Sequence, residues 1–223
     1  MSNQLIRLGP SESVEGRPFT SPTQSLADAS MLQAMAEMMG QFIQAAATPA
    51  DLPRPFIFYL EEAGRRLHRL ILVNPATLRR PGDLTVVGFC GQKRPHVNRD
   101  ILNELDRELI AELPDFGDLL SYSTLELDNG DACNLVLFSR PQGIQHWARS
   151  QKHAQAVQMS PDFYESIRLH QGRLPGGLMS PGSLVLLRTK YYDYRDQPVW
   201  RAVRDLAGEE PASLTVPMGR KRE

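Results

Sequence analysis

Cysteine is scarce in this chain, with two residues in 223, Cys90 and Cys133. No zinc-type cysteine spacing is present. Neither residue has a neighbouring base or a helix N-terminus in sequence to lower its pKa, so neither reads as a nucleophile. Both lie in apolar, strand-like runs, and the expectation is two free thiols behaving as small buried hydrophobes. An excess of one charge is also lacking. Lys plus Arg number 25 and Asp plus Glu 26, and a net charge of -1 offers no overall attraction to nucleic acid or to an anionic membrane surface. No apolar run approaches the roughly 20 residues that cross a bilayer, so no transmembrane segment is expected. The N-terminus lacks the basic start, apolar stretch and small-residue cleavage site of a signal peptide, which makes the cytoplasm the expected location. Gly172, Gly176 and Gly177 do not sit between a strand and a helix, which excludes a phosphate loop or a dinucleotide fingerprint. Internal repeats and heptads are absent.

What the chain does have is enough apolar content, 41%, to bury a core in one domain of moderate size or in one domain with an appended arm. Residues 1–24 are polar and aperiodic and read as a flexible arm. Residues 25–82 read as an N-terminal extension of helix plus hairpin. Its helix covers 26–47, with Ser25 as the capping residue and Met31, Met35, Met38 and Phe42 at three- and four-residue steps, a soft face for docking on the protein itself, a second subunit or a ligand. Prolines 49, 53 and 55 end it. Residues 55–73 suit a hairpin around Ala63-Gly64, although Leu60, Leu67 and Ile71 also suit a helix.

Residues 83–206 read as the main α+β domain, followed by a flexible tail, 207–223. Between 83 and 194 the order is strand, helix, strand, strand, helix, strand, which is the ferredoxin-like βαββαβ unit. The first helix is signalled by Asn98 as cap and by Leu102, Leu105, Leu109 and Leu113 as one stripe. Asn129-Gly130 supplies the positive φ angles of a tight hairpin between strands at 119–127 and 132–138. A helix is expected over 141–157, a shorter one from Ser160-Pro161 to about 169, the last strand over 184–194, and a short helix after Trp200.

Three of the five histidines cluster in this second helical region. In one continuous helix, His146 and His153 lie two turns apart, about 10 Å, too far for one metal but suited to lining one cavity. Tyr164, Arg168 and His170 follow, as proton donor or acidic-group anchor at a pocket mouth. The plainer readings make His146, Lys152 and His153 the polar side of an amphipathic helix and His170 a helix C-terminal charge. Tyr191, Tyr192, Asp193 and Tyr194 are either packing residues or an aromatic wall.

Strand residues of both parities are apolar, as in Leu184-Val185-Leu186-Leu187, so both sheet faces need cover. That element order resembles the dimeric α+β barrel superfamily of antibiotic-biosynthesis-type monooxygenases, and the resemblance implies a homodimer whose second subunit supplies the cover. Phe138, Trp147-Ala148-Arg149-Ser150 and His153-Ala154-Gln155-Ala156-Val157 are similar to a pattern of the spheroidene monooxygenase type. That likeness implies His153 as axial ligand of a haem iron, with His146, Tyr164, Arg168 and His170 as catalytic candidates around it. The function it implies is a small oxygenase-like or haem-binding enzyme acting on an apolar small molecule, with a cofactor-free enzyme as the variant. The alternative is a non-enzymatic assembly protein that holds a protein partner through residues 1–48.

Overall fold

The computed structural model describes residues 5–45, 54–62, 66–179 and 182–206. A single nine-stranded sheet runs through it. In chain order the strands are β1 (Ile6–Leu8), β2 (Phe56–Glu62), β3 (Arg66–Leu72), β4 (Leu84–Lys93), β5 (Leu119–Glu126), β6 (Ala132–Phe138), β7 (Tyr164–Leu174), β8 (Val185–Asp193) and β9 (Trp200–Asp205). Across the sheet they are ordered β1-β9-β8-β7-β4-β6-β5-β3-β2, with β4 in the middle. The β1–β9 pair is parallel and every other pair is antiparallel. The helices are α1 (Pro22–Ala45), α2 (Pro75–Leu78), α3 (Arg99–Glu112), α4 (Gln142–Trp147) and α5 (Gln151–Phe163). None is long and apolar enough to cross a membrane.

Strand alternation builds two cores. Leu70 and Leu72 of β3, with Cys133, Leu135 and Leu137 of β6, face one way and pack with Leu32, Met35, Met39 and Ile43 of α1. Ile71, Val73, Val136 and Phe138 face the other way and pack with Leu113 and Trp147. Thus α1 covers one face while α3, α4 and α5 cover the other. Gly88, on the central strand, brings α1 close: a Cβ there runs into Leu32. Gly88→Ala is expected to lift α1 and lower stability by about 1–3 kcal/mol, read as a drop in thermal midpoint; an unchanged midpoint contradicts the close seating of the helix.

The ferredoxin-like βαββαβ fold expected over 83–194, and the dimeric barrel with it, are overturned by this sheet. Residues 164–169, expected as the end of a helix, open strand β7, which runs from Tyr164 to Leu174, and residues after Trp200, expected as a helix, form β9. The hairpin β2–β3 extends the same sheet rather than standing apart from it. The second face needs no partner subunit, because α1 occupies it. The methionine-bearing helix therefore docks on its own sheet, starting at Pro22 with the Ser21 hydroxyl accepting from the Gln24 amide at 3.1 Å rather than at Ser25. Residues 5–24, expected as a flexible arm, supply β1 and bury Phe19 against Tyr191 and Trp200. The expected tail, 207–223, lies outside the described residues.

The two cysteines are not free. Cys90 and Cys133 are direct cross-strand partners on β4 and β6, with Cα atoms 4.4 Å apart, and their sulfurs are bonded. The single helix expected over 141–157 is two: α4 stops at Trp147 and α5 restarts under the Ser150 cap, whose hydroxyl accepts from the His153 amide at 3.0 Å.

Candidate small-molecule site

Polar groups collect on both faces of the sheet, and the two collections differ in how completely the helices cover them. Under α1, Asp28 receives Nε and Nη2 of Arg168 at 2.5 and 3.0 Å, and its Oδ2 lies 3.0 Å from Nε2 of His170. Nδ1 of His170 is 2.9 Å from the Thr189 hydroxyl, and Gln24 donates to the second carboxylate oxygen. Asp28 and His170 are 1% and 0% exposed. Burial by itself pushes the Asp28 carboxyl up, but hydrogen bonds from His170 and Arg168, together with their charge, pull it down to about 2. Next to this cluster, Arg204 donates to Tyr191 and to the backbone carbonyls of Gly9, Glu12 and Thr20, and Ser25 meets Tyr191 at 3.1 Å. These contacts fasten α1 and the N-terminal segment to β7, β8 and β9. With Asp28, His170, Thr189, Tyr191 and Arg204 buried and their polar groups satisfied from within, they form a clamp rather than a substrate site.

On the opposite face, strand register sets a row of side chains across the sheet. Arg69 on β3 is paired with Thr124 on β5, Thr124 with Asn134 on β6, Asn134 with Phe89 on β4, and Phe89 with Leu169 on β7. At about 4.8 Å per strand, the row has a polar stretch of roughly 10 Å from Arg69 to Asn134 and an apolar stretch of roughly 5 Å from Phe89 to Leu169. All five residues are half-buried, although β4 is the central strand and Val87, on the same face, is fully covered. The helical layer therefore does not close over this row.

The opening follows from how α3 and α5 are tied together. Ser150 donates to Glu112 at 2.7 Å and Lys152 pairs with Glu108 at 2.6 Å, so the end of α3 holds the start of α5. No equivalent tie joins the start of α3 to the end of α5 among the described residues, and there Ile101 and Val157 are 46% and 55% exposed. That is the end of the sheet where β4 runs out and β7 begins. Tyr164 lies there edge-on to Phe89, ring centroids 5.2 Å apart, over Gly91, where an added Cβ would meet the Tyr164 ring at 2.6 Å.

The polar stretch is pre-built. Arg69 is held by Asp106 of α3 at 2.5 and 2.9 Å and reaches Thr124 at 3.3 Å. Asn134 donates to the Tyr122 hydroxyl at 2.9 Å. Burial raises the Tyr122 phenol far above its ordinary pKa, so it stays protonated and serves as a hydrogen-bond donor rather than as an acid. Burial likewise pushes Tyr164 up to about 12. Three polar atoms on this face, Arg69 Nε, Asn134 Oδ1 and Trp147 Nε1, are buried without a hydrogen-bond partner among the described residues. Two are donors and one an acceptor, and buried polar groups are normally satisfied. A molecule with both an acceptor and a donor at one end would complete this set.

The residues expected around one pocket are not together. Arg168 and His170 belong to the clamp on the α1 face; Tyr164 and His153 lie on the other. His146, in the separate α4, is largely exposed and sits 3.6 Å from Asp118. Tyr191 belongs to the clamp, while Tyr192 and Tyr194 stack on each other. His153 meets part of what a haem ligand needs: burial lowers its pKa, favouring neutral imidazole, and it stands on a capped helix. Its ring is laid against Trp147, centroids 4.3 Å apart, and its nitrogens have no hydrogen-bond acceptor among the described residues to fix a tautomer. The surroundings of His153 therefore do not fit an axial ligand. Asp28, Arg69, Tyr122 and Asn134 were not among the expected site residues: the partners of Asp28 and Arg69 stand far away in the chain, and Tyr122 and Asn134 meet only through the β5–β6 register.

No family model matches this chain and no curated protein matches it. A solved structure described as the crystal structure of aldoxime dehydratase aligns over 66% of this chain and 37% of its own, at 10% identity and a TM-score of 0.25. A score that low carries no argument for the fold or the function.

Proposed function

We propose that this chain binds and acts on a small, largely apolar molecule that carries one head group with both a hydrogen-bond acceptor and a donor, such as a carboxamide or a protonated carboxylic acid. The observation that carries the reading is the trio of unpartnered buried atoms beside the half-covered row. The head group meets Arg69 Nε and Asn134 Oδ1, the body lies along Phe89 and Leu169, and Tyr164 walls the mouth. Tyr122 donates a hydrogen bond to charge developing on the head, in a site dry enough for that bond to count.

The test is a ligand-detected NMR screen of aryl carboxamides and carboxylic acids against the native chain, Tyr122→Phe and Asn134→Ala. Hits on the native chain that weaken about 5- to 100-fold in Asn134→Ala, equivalent to about 1–3 kcal/mol for an unpaired polar group, support the site. Hits that bind both variants unchanged contradict it.

The haem reading, with His153 on the iron, is tested separately by an absorption spectrum after expression with haem precursor. No Soret band that depends on His153 is expected, and a band abolished by His153→Ala would establish the haem reading instead. Under the alternative reading, a partner held through residues 1–48 would meet, in the described part of that segment, the surfaces that α1 and β1 leave exposed once packed on the sheet, such as Leu5, Ile6 and Leu26.

A further inference from the structure

The clamp beneath α1 holds more than an ion pair. A ligand atom from each of Asp28, Cys90 and His170 lies within 4.8 Å of the other two, and all three residues are at least nine-tenths buried. Carboxylate, thiolate and imidazole are the three donor types of zinc-like sites. Cys133, bonded to Cys90, stands beside this trio. We propose that the cluster is a divalent-metal site of the reduced chain, for a zinc-like cation, and that the Cys90–Cys133 disulfide and the metal are mutually exclusive occupants of the same place.

The disulfide is opened by a dithiol. Its two thiol hydrogens, with two electrons, pass to the cysteine sulfurs, and the dithiol closes to its own disulfide. Metal uptake then releases the proton of Cys90 to solvent as the sulfur–metal bond forms, and Cys133 gives its proton up in the same way if it takes the fourth position.

The surroundings already have the form of an outer shell. The Thr189 hydroxyl, 2.9 Å from Nδ1 of His170, accepts as well as donates. It can therefore hold the tautomer that leaves Nε2 as the lone pair facing Asp28 and Cys90. Arg168 Nη2 and Gln24 hold the Asp28 oxygen that faces away from His170, so that Oδ2 is the one turned to the cluster. Arg168 also settles the charge: two thiolates, one carboxylate, one divalent cation and one guanidinium sum to zero, which a site this deeply buried requires. In the oxidised chain Arg168 and His170 take that Oδ2, and the sulfurs are occupied with each other.

The test uses the full chain, unfolded and refolded by dilution with a phosphine reductant and cobalt(II), beside a chain kept oxidised and treated with cobalt alone. The reduced chain is expected to take up one cobalt, with a near-ultraviolet thiolate-to-cobalt band and intense visible d–d bands of a four-coordinate site. The oxidised chain is expected to show neither, and His170→Gln is expected to weaken uptake by the reduced chain at least tenfold. Reduced, folded protein with two titratable thiols and no cobalt spectrum overturns the proposal. So does uptake unaffected by His170→Gln, and so does a reduced chain that fails to fold even with cobalt present.

Discussion

Asp28→Ala is expected to destabilise the protein by about 3–5 kcal/mol, because it strands the mostly covered Arg168 guanidinium and removes the acceptor of the buried His170. Against a total stability on the order of 5–15 kcal/mol, that is a large fraction. Asp28 joins α1 to β7, taking both Arg168 nitrogens and the His170 imidazole. Urea midpoints measure the loss, and hydrogen exchange should show faster exchange throughout α1 with the outer strand β2 little affected. The double variant Asp28→Leu with Arg168→Met should lose less than the two single changes together, since no unpaired charge then remains. Additive losses would mean that the pair is not a coupled clamp.

The second large effect is one of pH. His68, on β3, is wholly buried on the α1 face, and burial lowers its pKa to about 4 from an ordinary 6.5. Because the folded value is depressed, the unfolded chain binds the extra proton between pH 6.5 and 4, so stability is fully present above pH 6.5 and falls across that window. The integrated loss is on the order of 3 kcal/mol. Asp28, also depressed, contributes stability that is present above about pH 4 and is lost as pH falls toward about 2. Stability should therefore decline in two stages. In His68→Leu the first stage should flatten while the second remains, as read by urea unfolding at fixed pH steps; a native-like fall between pH 6.5 and 4 in that variant would assign the first stage to another group.

Local chemistry was legible where it was short-range. Asn129-Gly130 turns β5 into β6 with Gly130 at φ 83, and Asn98 caps α3 by accepting from the Asp100 amide. The β2–β3 hairpin also matched the two strand-like runs of 55–73, with Ala63-Gly64 lying outside the described residues. Segment 164–174 did not, because Ser160-Pro161 reads as a helix start, whereas α5 carries Pro161 within its final turn and the alternation of β7 begins only after Phe163. Strand β9 was hidden for a different reason. Ala202, Val203 and Arg204 are all buried, so no alternation is visible, and an arginine gives no local sign of being inside. The cystine escaped notice because its partners are 43 residues apart on strands that are not consecutive in the chain.

The candidate site was less legible than the fold for the same physical reason. Arg69, Thr124, Asn134, Phe89 and Leu169 come from five strands, and only the register brings them into one row. Histidines drew attention because they carry chemistry by type. In the structure one is locked in the clamp, one is stacked on Trp147 and one faces solvent beside Asp118.

Binding at the row is located by an amide chemical-shift map of the isotope-labelled chain with the strongest hit of the carboxamide and carboxylic acid screen. Shifts are expected to concentrate at Phe89, Thr124, Asn134, Leu169 and the facing ends of α3 and α5, with α1 and the N-terminal strand unmoved. Shifts centred on α1, or spread evenly over the surface, would contradict it.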